Sequence, residues 1–165
     1  MRKERLGWDE MWLEVAKVFG KRSTCMKNEL GSIFIRDNRL LSYGYNGAPI
    51  GSDHCIDYGR CNKDFFKTEW CVGAYSEMNA TLDALKNKED LVGSTAYCSM
   101  SPCMHSAKHL INLEINRLVY GELYKKSNGE GEAAIELLRE SGITVDVIDE
   151  SLNKREDVCQ RQEKQ

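Results

Sequence analysis

The chain has 165 residues, 41% hydrophobic and 30% charged, which is the composition of a single soluble globular domain. No apolar run approaches the roughly 20 residues of a membrane span, and no secretory apolar segment follows the basic N-terminus, so we expect a cytoplasmic protein. A net charge of −3 argues against an extended nucleic-acid surface but leaves a single nucleotide open as a ligand. In that compartment the seven cysteines are expected to be thiols or metal ligands.

Residues 8–19 predict an amphipathic helix. Apolar side chains recur there at the i, i+3, i+4, i+7 spacing of a helix, and Gly20 is a suitable end. Trp8 and Trp12 lie on this stripe, and we expect them to pack in the core rather than to stack on a ligand.

A β-hairpin is predicted next. Residues 32–36 and 40–43 are rich in apolar side chains and flank Asp37-Asn38, a pair that favours turns. A glycine-rich turn over residues 44–49 follows, where the backbone could approach a ligand closely or simply form a loop.

The second half of the chain alternates helices and strands. On the first of these helices Met78, Leu82 and Leu85 share a side, which we take as its apolar face. The predicted elements are helix 76–87, strand 94–99, a helix from Pro102, strand 115–123, helix 130–140 and strand 143–148.

Alternating strands and helices imply right-handed parallel crossovers, here added to an antiparallel hairpin. The predicted fold is α/β, a three-layer α/β/α arrangement with a mixed five-stranded sheet. Residues 1–149 form the predicted domain, and residues 150–165 form a charged C-terminal tail.

Four cysteines lie in or near a long loop without hydrophobic periodicity, residues 50–71. Convergence on one metal ion would explain how such a loop is ordered, and a closed four-thiolate site would be structural. The alternative is that the four are unlinked free thiols, since their spacing is looser than paired Cys-x-x-Cys. They are Cys25, Cys55, Cys61 and Cys71.

Two short segments are similar to the halves of a zinc-deaminase site, His-x-Glu and Pro-Cys-x-x-Cys, in which one His and two Cys hold a zinc-bound hydroxide. Glu77 and Cys103 stand at their expected places. The other two ligand positions carry Tyr75 and Ser106. Zinc prefers thiolate and imidazole ligands, so these residues disfavour a catalytic zinc.

The energetic consequence of losing this ion is large. Zinc lowers the pKa of bound water from about 15.7 to about 7, which corresponds to roughly 12 kcal/mol. A general base such as Glu77 contributes roughly 3–5 kcal/mol. On a helix from Pro102, Cys103 and Ser106 lie within about 60° of each other, whereas His105 points about 200° away from Cys103. His109 lies about one turn beyond Ser106, out of reach without a local shift.

The chain resembles the deoxycytidylate (dCMP) deaminase family of the cytidine-deaminase fold from about Leu6 to Ile148. The residues that carry the resemblance are Trp8, segments 21–25, 37–39 and 44–47, His54-Cys55, Cys71, and segments 77–80 and 101–103.

The resemblance implies site residues and partners. Glu77 would be the proton shuttle, Cys103 one zinc ligand and Asn46 a nucleotide contact, with Arg22 and Ser23 near the substrate. The four loop cysteines would be the structural zinc site of some members, with Cys61 displaced by one residue from the pattern. The family further implies a homo-oligomer, usually a hexamer, with dCTP and dTTP as effectors.

Three functions follow from the sequence. The first is a deoxynucleotide-binding relative that lacks the catalytic zinc and hydrolytic deamination, with the Tyr75 ring filling part of the former metal cavity. The second is an active zinc-dependent dCMP deaminase with an unusual metal shell. The third is a nucleotide-sequestering or regulatory binding protein for a different ligand.

Overall fold

The computed structural model describes residues 5–61, 63, 71–125 and 128–148. The predicted tail, residues 150–165, lies outside the described residues. Within them, no helix is both long enough and apolar enough to cross a membrane. The elements are α1 (Trp8–Gly20), β1 (Gly31–Arg36), β2 (Arg39–Tyr45), α2 (Cys55–Tyr58), α3 (Ser76–Asn87), β3 (Thr95–Met100), α4 (Met104–Asn112), β4 (Arg117–Glu122), α5 (Glu130–Glu140) and β5 (Thr144–Val147).

The five strands form one mixed sheet in the order β2-β1-β3-β4-β5. β1 pairs antiparallel with β2 and with β3, whereas β3, β4 and β5 run parallel. The mixed five-stranded sheet predicted from the sequence is therefore confirmed.

Helices cover both faces of the sheet. On one face α1 packs over a core that includes Leu13, Ile33 and Val119. On the other face α3, α4 and α5 enclose a larger core, in which Phe34 and Leu118 are fully buried. This gives the predicted α/β/α layers and places alternate residues of each strand in different cores.

The hairpin turn forms as predicted. Asp37 and Asn38 both have positive φ angles, 51° and 60°, the left-handed conformation that both central residues of a type I′ turn adopt. Asp and Asn tolerate this conformation better than most residues, which explains the turn at this pair.

The prediction that Trp8 packs in the core is wrong. Trp8 is 52% exposed, and its ring lies 6.3 Å from that of Trp12 with Arg5 above it. The buried positions of α1 are Leu13, Ala16 and Gly20, so the helix is rotated relative to the predicted stripe. Gly20 has the backbone of residues 29–31 against it, and this close approach determines which face turns inward.

The predicted apolar face of α3 is also wrong. Leu82 and Leu85 are exposed, Leu85 by 72%, and the buried side chains of α3 are Ser76, Glu77, Ala80 and Ala84. The cause is Gly44 of β2, where an added Cβ would lie 2.3 Å from the α3 backbone. A helix this close to a strand has room only for small side chains at the contact.

The helix predicted from Pro102 begins at Met104, with Cys103 as its N-cap in an extended conformation. Ser101 explains the shift, because its N–H donates to the carbonyl of Glu122 at 2.7 Å and its hydroxyl accepts from the N–H of Tyr124 at 2.8 Å. These bonds hold the segment after β3 beside the end of β4.

Candidate functional site

Most of the predicted site residues lie around a pocket at one end of the sheet. There β2, β3 and β4 end and β1 begins, because β1 runs antiparallel to β3. The pocket has a volume of about 340 Å³, within the range of small-molecule sites. Its lining includes Asn46, Tyr75, Glu77, Cys103, Ser106 and the four loop cysteines.

Glu77 lines this pocket near the start of α3. It is 6% exposed, and Ser76 donates a hydrogen bond to its Oε2 at 3.1 Å. Burial raises the pKa of Glu77, although hydrogen bonds from its own backbone, Ser76 and Ser106 oppose the shift. Glu77 is therefore a proton-holding group in a poorly solvated place.

Cys103 and Ser106 lie side by side as predicted, with Sγ and Oγ 3.8 Å apart, although the cause is that an N-cap side chain reaches the third residue of its helix. Ser106 is buried, and its hydroxyl is near enough to the Glu77 carboxyl to oppose the rise in the pKa of that group. The serine hydroxyl thus lies near both the thiol and the carboxyl.

Tyr75 is the N-cap residue of α3, and its half-exposed ring lines the pocket. The ring centroid lies 6.2 Å from that of His105. Burial raises the pKa of the Tyr75 hydroxyl, with Cys103 and Cys71 contributing to the same direction. The side chain is accordingly a neutral phenol at pH 7.

His105 lines the pocket, contrary to the expectation that it points away from Cys103. That expectation treated Cys103 as helical, with 100° per residue. Because Cys103 is an extended N-cap residue, the rotation between residues 103 and 105 does not follow this rule. His109 instead contacts α3, with Nε2 2.9 Å from the hydroxyl of Thr81.

The three positions that would hold a catalytic zinc carry a phenol, a thiol and a hydroxyl. The Tyr75 phenol is neutral, and the Ser106 hydroxyl accepts a hydrogen bond from the Cys103 thiol. This donor set does not match the imidazole and two thiolates that such an ion takes. We therefore derive no chemistry from a zinc ion at this place.

The four loop cysteines, Cys25, Cys55, Cys61 and Cys71, all line the same pocket. All four are free thiols, and thiols are suitable ligands for a structural zinc. In the part of the chain that the structure describes, however, no three His, Cys, Asp or Glu side chains form a group that could hold a metal ion. A structural zinc at these cysteines stays a prediction.

The predicted nucleotide contacts differ in position. Asn46 lines the pocket, and its amide bridges the loop before β1, with Leu30 N–H donating to Oδ1 and Nδ2 donating to Asn28 O. Ser23 supports that loop by donating to Asn46 O at 2.9 Å. Arg22 is exposed and is not among the lining residues.

Sequence reasoning missed several residues of the pocket. Lys27 and Lys63 line it and supply positive charge, and Tyr124 adds a second tyrosine. Tyr124 lies two residues after the end of β4, so its place beside the segment after β3 could have been found from parallel strand order. Lysines in loops carry no such periodic signal.

These features agree with comparisons with known proteins. A family model described as "Cytidine and deoxycytidylate deaminase zinc-binding region" matches residues 6–122. The chain therefore belongs to the cytidine and deoxycytidylate deaminase family. Within it, the chain is similar to the deoxycytidylate deaminases.

Several curated relatives carry that name, among them two from yeasts. The deoxycytidylate deaminase of Saccharomyces cerevisiae is 32% identical over 86% of this chain and 45% of its own length. That of Schizosaccharomyces pombe is 35% identical over 73% of this chain and 38% of its own length. The chain thus spans less than half the length of these two relatives.

The fold has a solved counterpart. The dCMP deaminase of the cyanophage S-TIM5 in complex with dCMP and dUMP matches with a TM-score of 0.74. It is 22% identical, and the match covers 88% of this chain and all of that one. At this identity the likeness supports the cytidine-deaminase-like fold alone.

Proposed function

We propose that this chain binds a pyrimidine deoxynucleotide of the dCMP type and lacks the zinc-dependent hydrolysis of its family. The observation that carries the proposal is the donor set at the three zinc positions. Tyr75 and Ser106 offer a neutral phenol and a hydroxyl, and the Ser106 hydroxyl accepts a hydrogen bond from the Cys103 thiol. Glu77 is then a general base without a zinc-activated water. Its contribution to lowering the reaction barrier is several kcal/mol smaller than that of the zinc ion.

The remaining lining supports nucleotide binding. Tyr75 and Tyr124 offer aromatic faces to a base, and aromatic stacking contributes about 1–3 kcal/mol per base. Lys27 and Lys63 offer positive charge to a phosphate. The volume of about 340 Å³ suits a small ligand.

Three family properties belong to this proposal as expectations. They are a structural zinc at the four loop cysteines, assembly into a homo-oligomer such as a hexamer, and control by dCTP and dTTP. Each rests on the resemblance.

A second candidate is an active dCMP deaminase with an unusual metal shell. It is favoured by one observation, that His105 lines the pocket together with Cys103. This candidate predicts zinc that depends on both residues and ammonia release from dCMP.

The test combines calorimetric binding of dCMP with an ammonia-release assay in added zinc. We expect binding without ammonia. Tyr75→Ala should weaken binding about tenfold, since it removes a stacking face. Tyr43→Ala is the matched control, because Tyr43 has a similar exposure, 41% against 44% for Tyr75, but does not line the pocket.

Ammonia release by the wild type would show the second candidate to be right. If the chain binds another nucleotide but not dCMP, the proposed ligand is wrong and the ligand belongs to a different class.

A further inference from the structure

A chain of buried hydroxyl and thiol groups lies behind Glu77. The Ser76 hydroxyl donates to Glu77 Oε2 and lies 2.8 Å from the hydroxyl of Ser32. Ser32 Oγ in turn lies 3.4 Å from the sulfur of Cys98. Ser76, Ser32 and Cys98 are each at most 3% exposed, so bulk water does not compete for these bonds.

The number of hydrogens sets the direction of the chain. A serine hydroxyl has one hydrogen and can accept further bonds. Ser76 gives its hydrogen to Glu77, and Ser32 shares its single hydrogen between the hydroxyl of Ser76 and the sulfur of Cys98. Burial raises the pKa of the Cys98 thiol, which is therefore neutral and accepts from Ser32.

The chain engages a single oxygen of the carboxyl. Ser76 contacts Oε2, which leaves Oε1 as the oxygen that Ser76 does not occupy. Glu77 and Ser106 both line the pocket, so the carboxyl lies against the space where a ligand would bind. A carboxyl held by one fixed donor cannot rotate without losing that bond.

We propose that Ser76 is a positioning residue, which holds Glu77 Oε2 so that the other carboxyl oxygen is presented to the base of a bound nucleotide. Ser32 acts through it by contacting its hydroxyl and fixing the direction of that group. The inference rests on the proposed function, since it assumes a pyrimidine nucleotide in the pocket.

Ser42 provides a matched control. It is buried to 1% exposure on the neighbouring strand β2, and its hydroxyl has no hydrogen-bond partner among the described residues. Ser42→Ala therefore removes a buried serine hydroxyl without touching the chain behind Glu77.

The first experiment compares calorimetric affinities for dCMP and for 2-deoxyribose 5-phosphate, which lacks the base. Ser76→Ala should weaken dCMP binding about tenfold and change the affinity for the sugar phosphate less than about twofold. Ser76→Thr, which keeps the hydroxyl, should restore most of the loss. Ser32→Ala should cause a smaller loss, and the double variant Ser32→Ala/Ser76→Ala should bind no worse than Ser76→Ala, since Ser32 acts through Ser76.

Unchanged dCMP affinity in Ser76→Ala would overturn the inference. So would an equal loss for both ligands, because that is the result of a merely structural role. A loss in Ser42→Ala as large as in Ser76→Ala would have the same meaning.

The second measurement needs no ligand and separates this inference from the proposed function. Infrared spectra are recorded on chains labelled with carbon-13 glutamate. Subtraction of the spectrum of Glu77→Gln isolates the carboxyl band of Glu77. We expect this band to move in Ser76→Ala, to move less in Ser32→Ala and to stay in Ser42→Ala. If the wild type binds neither ligand, the proposed function fails and this band decides: an unmoved band in Ser76→Ala overturns the positioning role.

Discussion

Two clusters of polar side chains lie on opposite faces of the sheet. One stabilises a carboxylate anion, whereas the other destabilises one. On the α1 face, Arg117 binds Asp9 through two hydrogen bonds of 2.8 Å and Asp146 through one of 2.7 Å. Tyr97 donates to Asp9 at 2.6 Å. On the other face, Glu77 is buried among hydroxyls, and no lysine or arginine of the described chain pairs with it.

The pKa values show the contrast. The bonds from Arg117 lower the pKa of Asp9, so this carboxylate is stabilised as an anion. Burial raises the pKa of Glu77, so its anion is destabilised. The first cluster therefore ties α1 to β4 and β5. The second holds a buried carboxyl whose ionised form lowers the stability of the fold. Perturbed groups of the second kind concentrate at functional sites.

The largest expected effect is that of Arg117→Ala. It leaves Asp9 and Asp146 as neighbouring unpaired carboxylates and should destabilise the fold by about 2–3 kcal/mol, less than a fully buried pair because these side chains are partly exposed. Urea unfolding measures this change. Arg39→Ala, which removes an exposed arginine paired with Glu89, should cost less than about 1 kcal/mol. Equal effects would show that the Arg117 cluster does not hold α1.

Acid should weaken the same cluster. Because the native pKa of Asp9 is below its unfolded value near 3.9, the stabilisation is complete above that pH and is lost as the pH falls through the native pKa. Asp9→Asn should cost about 1–2 kcal/mol at pH 7, with the difference from the wild type shrinking below about pH 4. A difference independent of pH would contradict this assignment.

Glu77→Gln should have the opposite sign. The native pKa is raised, so above the unfolded value near 4.3 the unfolded chain ionises while the native carboxyl is disfavoured as an anion. The variant should be more stable than the wild type at pH 7, on the order of 1 kcal/mol, and the gain should vanish towards pH 4. Thermal unfolding across this range is the measurement, and destabilisation at pH 7 would refute it.

The smallest expected effect is that of Ser42→Ala, within about 0.5 kcal/mol of the wild type. It removes a buried hydroxyl that has no partner among the described residues, so no hydrogen bond is lost. A loss above about 1 kcal/mol in urea unfolding would mean that a bound water satisfies this hydroxyl.

Elements with their own signal could be predicted from the sequence. Asp37 and Asn38 indicated the hairpin turn, and strand and helix alternation indicated the mixed sheet and its layers. The spacing of Cys103 and Ser106 placed these two side chains together.

Features that depend on contacts between distant segments could not be predicted. Leu82 and Leu85 have the pattern of a core face, but Gly44 brings β2 so close to α3 that only small residues fit there. The buried partners of Glu77 at Ser32 and Cys98 come from different strands, and no local pattern links them. His105 was misplaced because the start of α4 depends on the contacts of Ser101 with the end of β4.

The most direct test of the central claim, that this pocket has no catalytic zinc, is the zinc content per chain of the wild type, of Cys103→Ala and of Tyr75→His/Ser106→Cys. The account predicts that Cys103→Ala leaves the wild-type content unchanged and that the double variant gains one zinc ion, because it restores imidazole and thiolate beside Cys103. Loss of one zinc ion per chain from the wild type on changing Cys103 to Ala would contradict it.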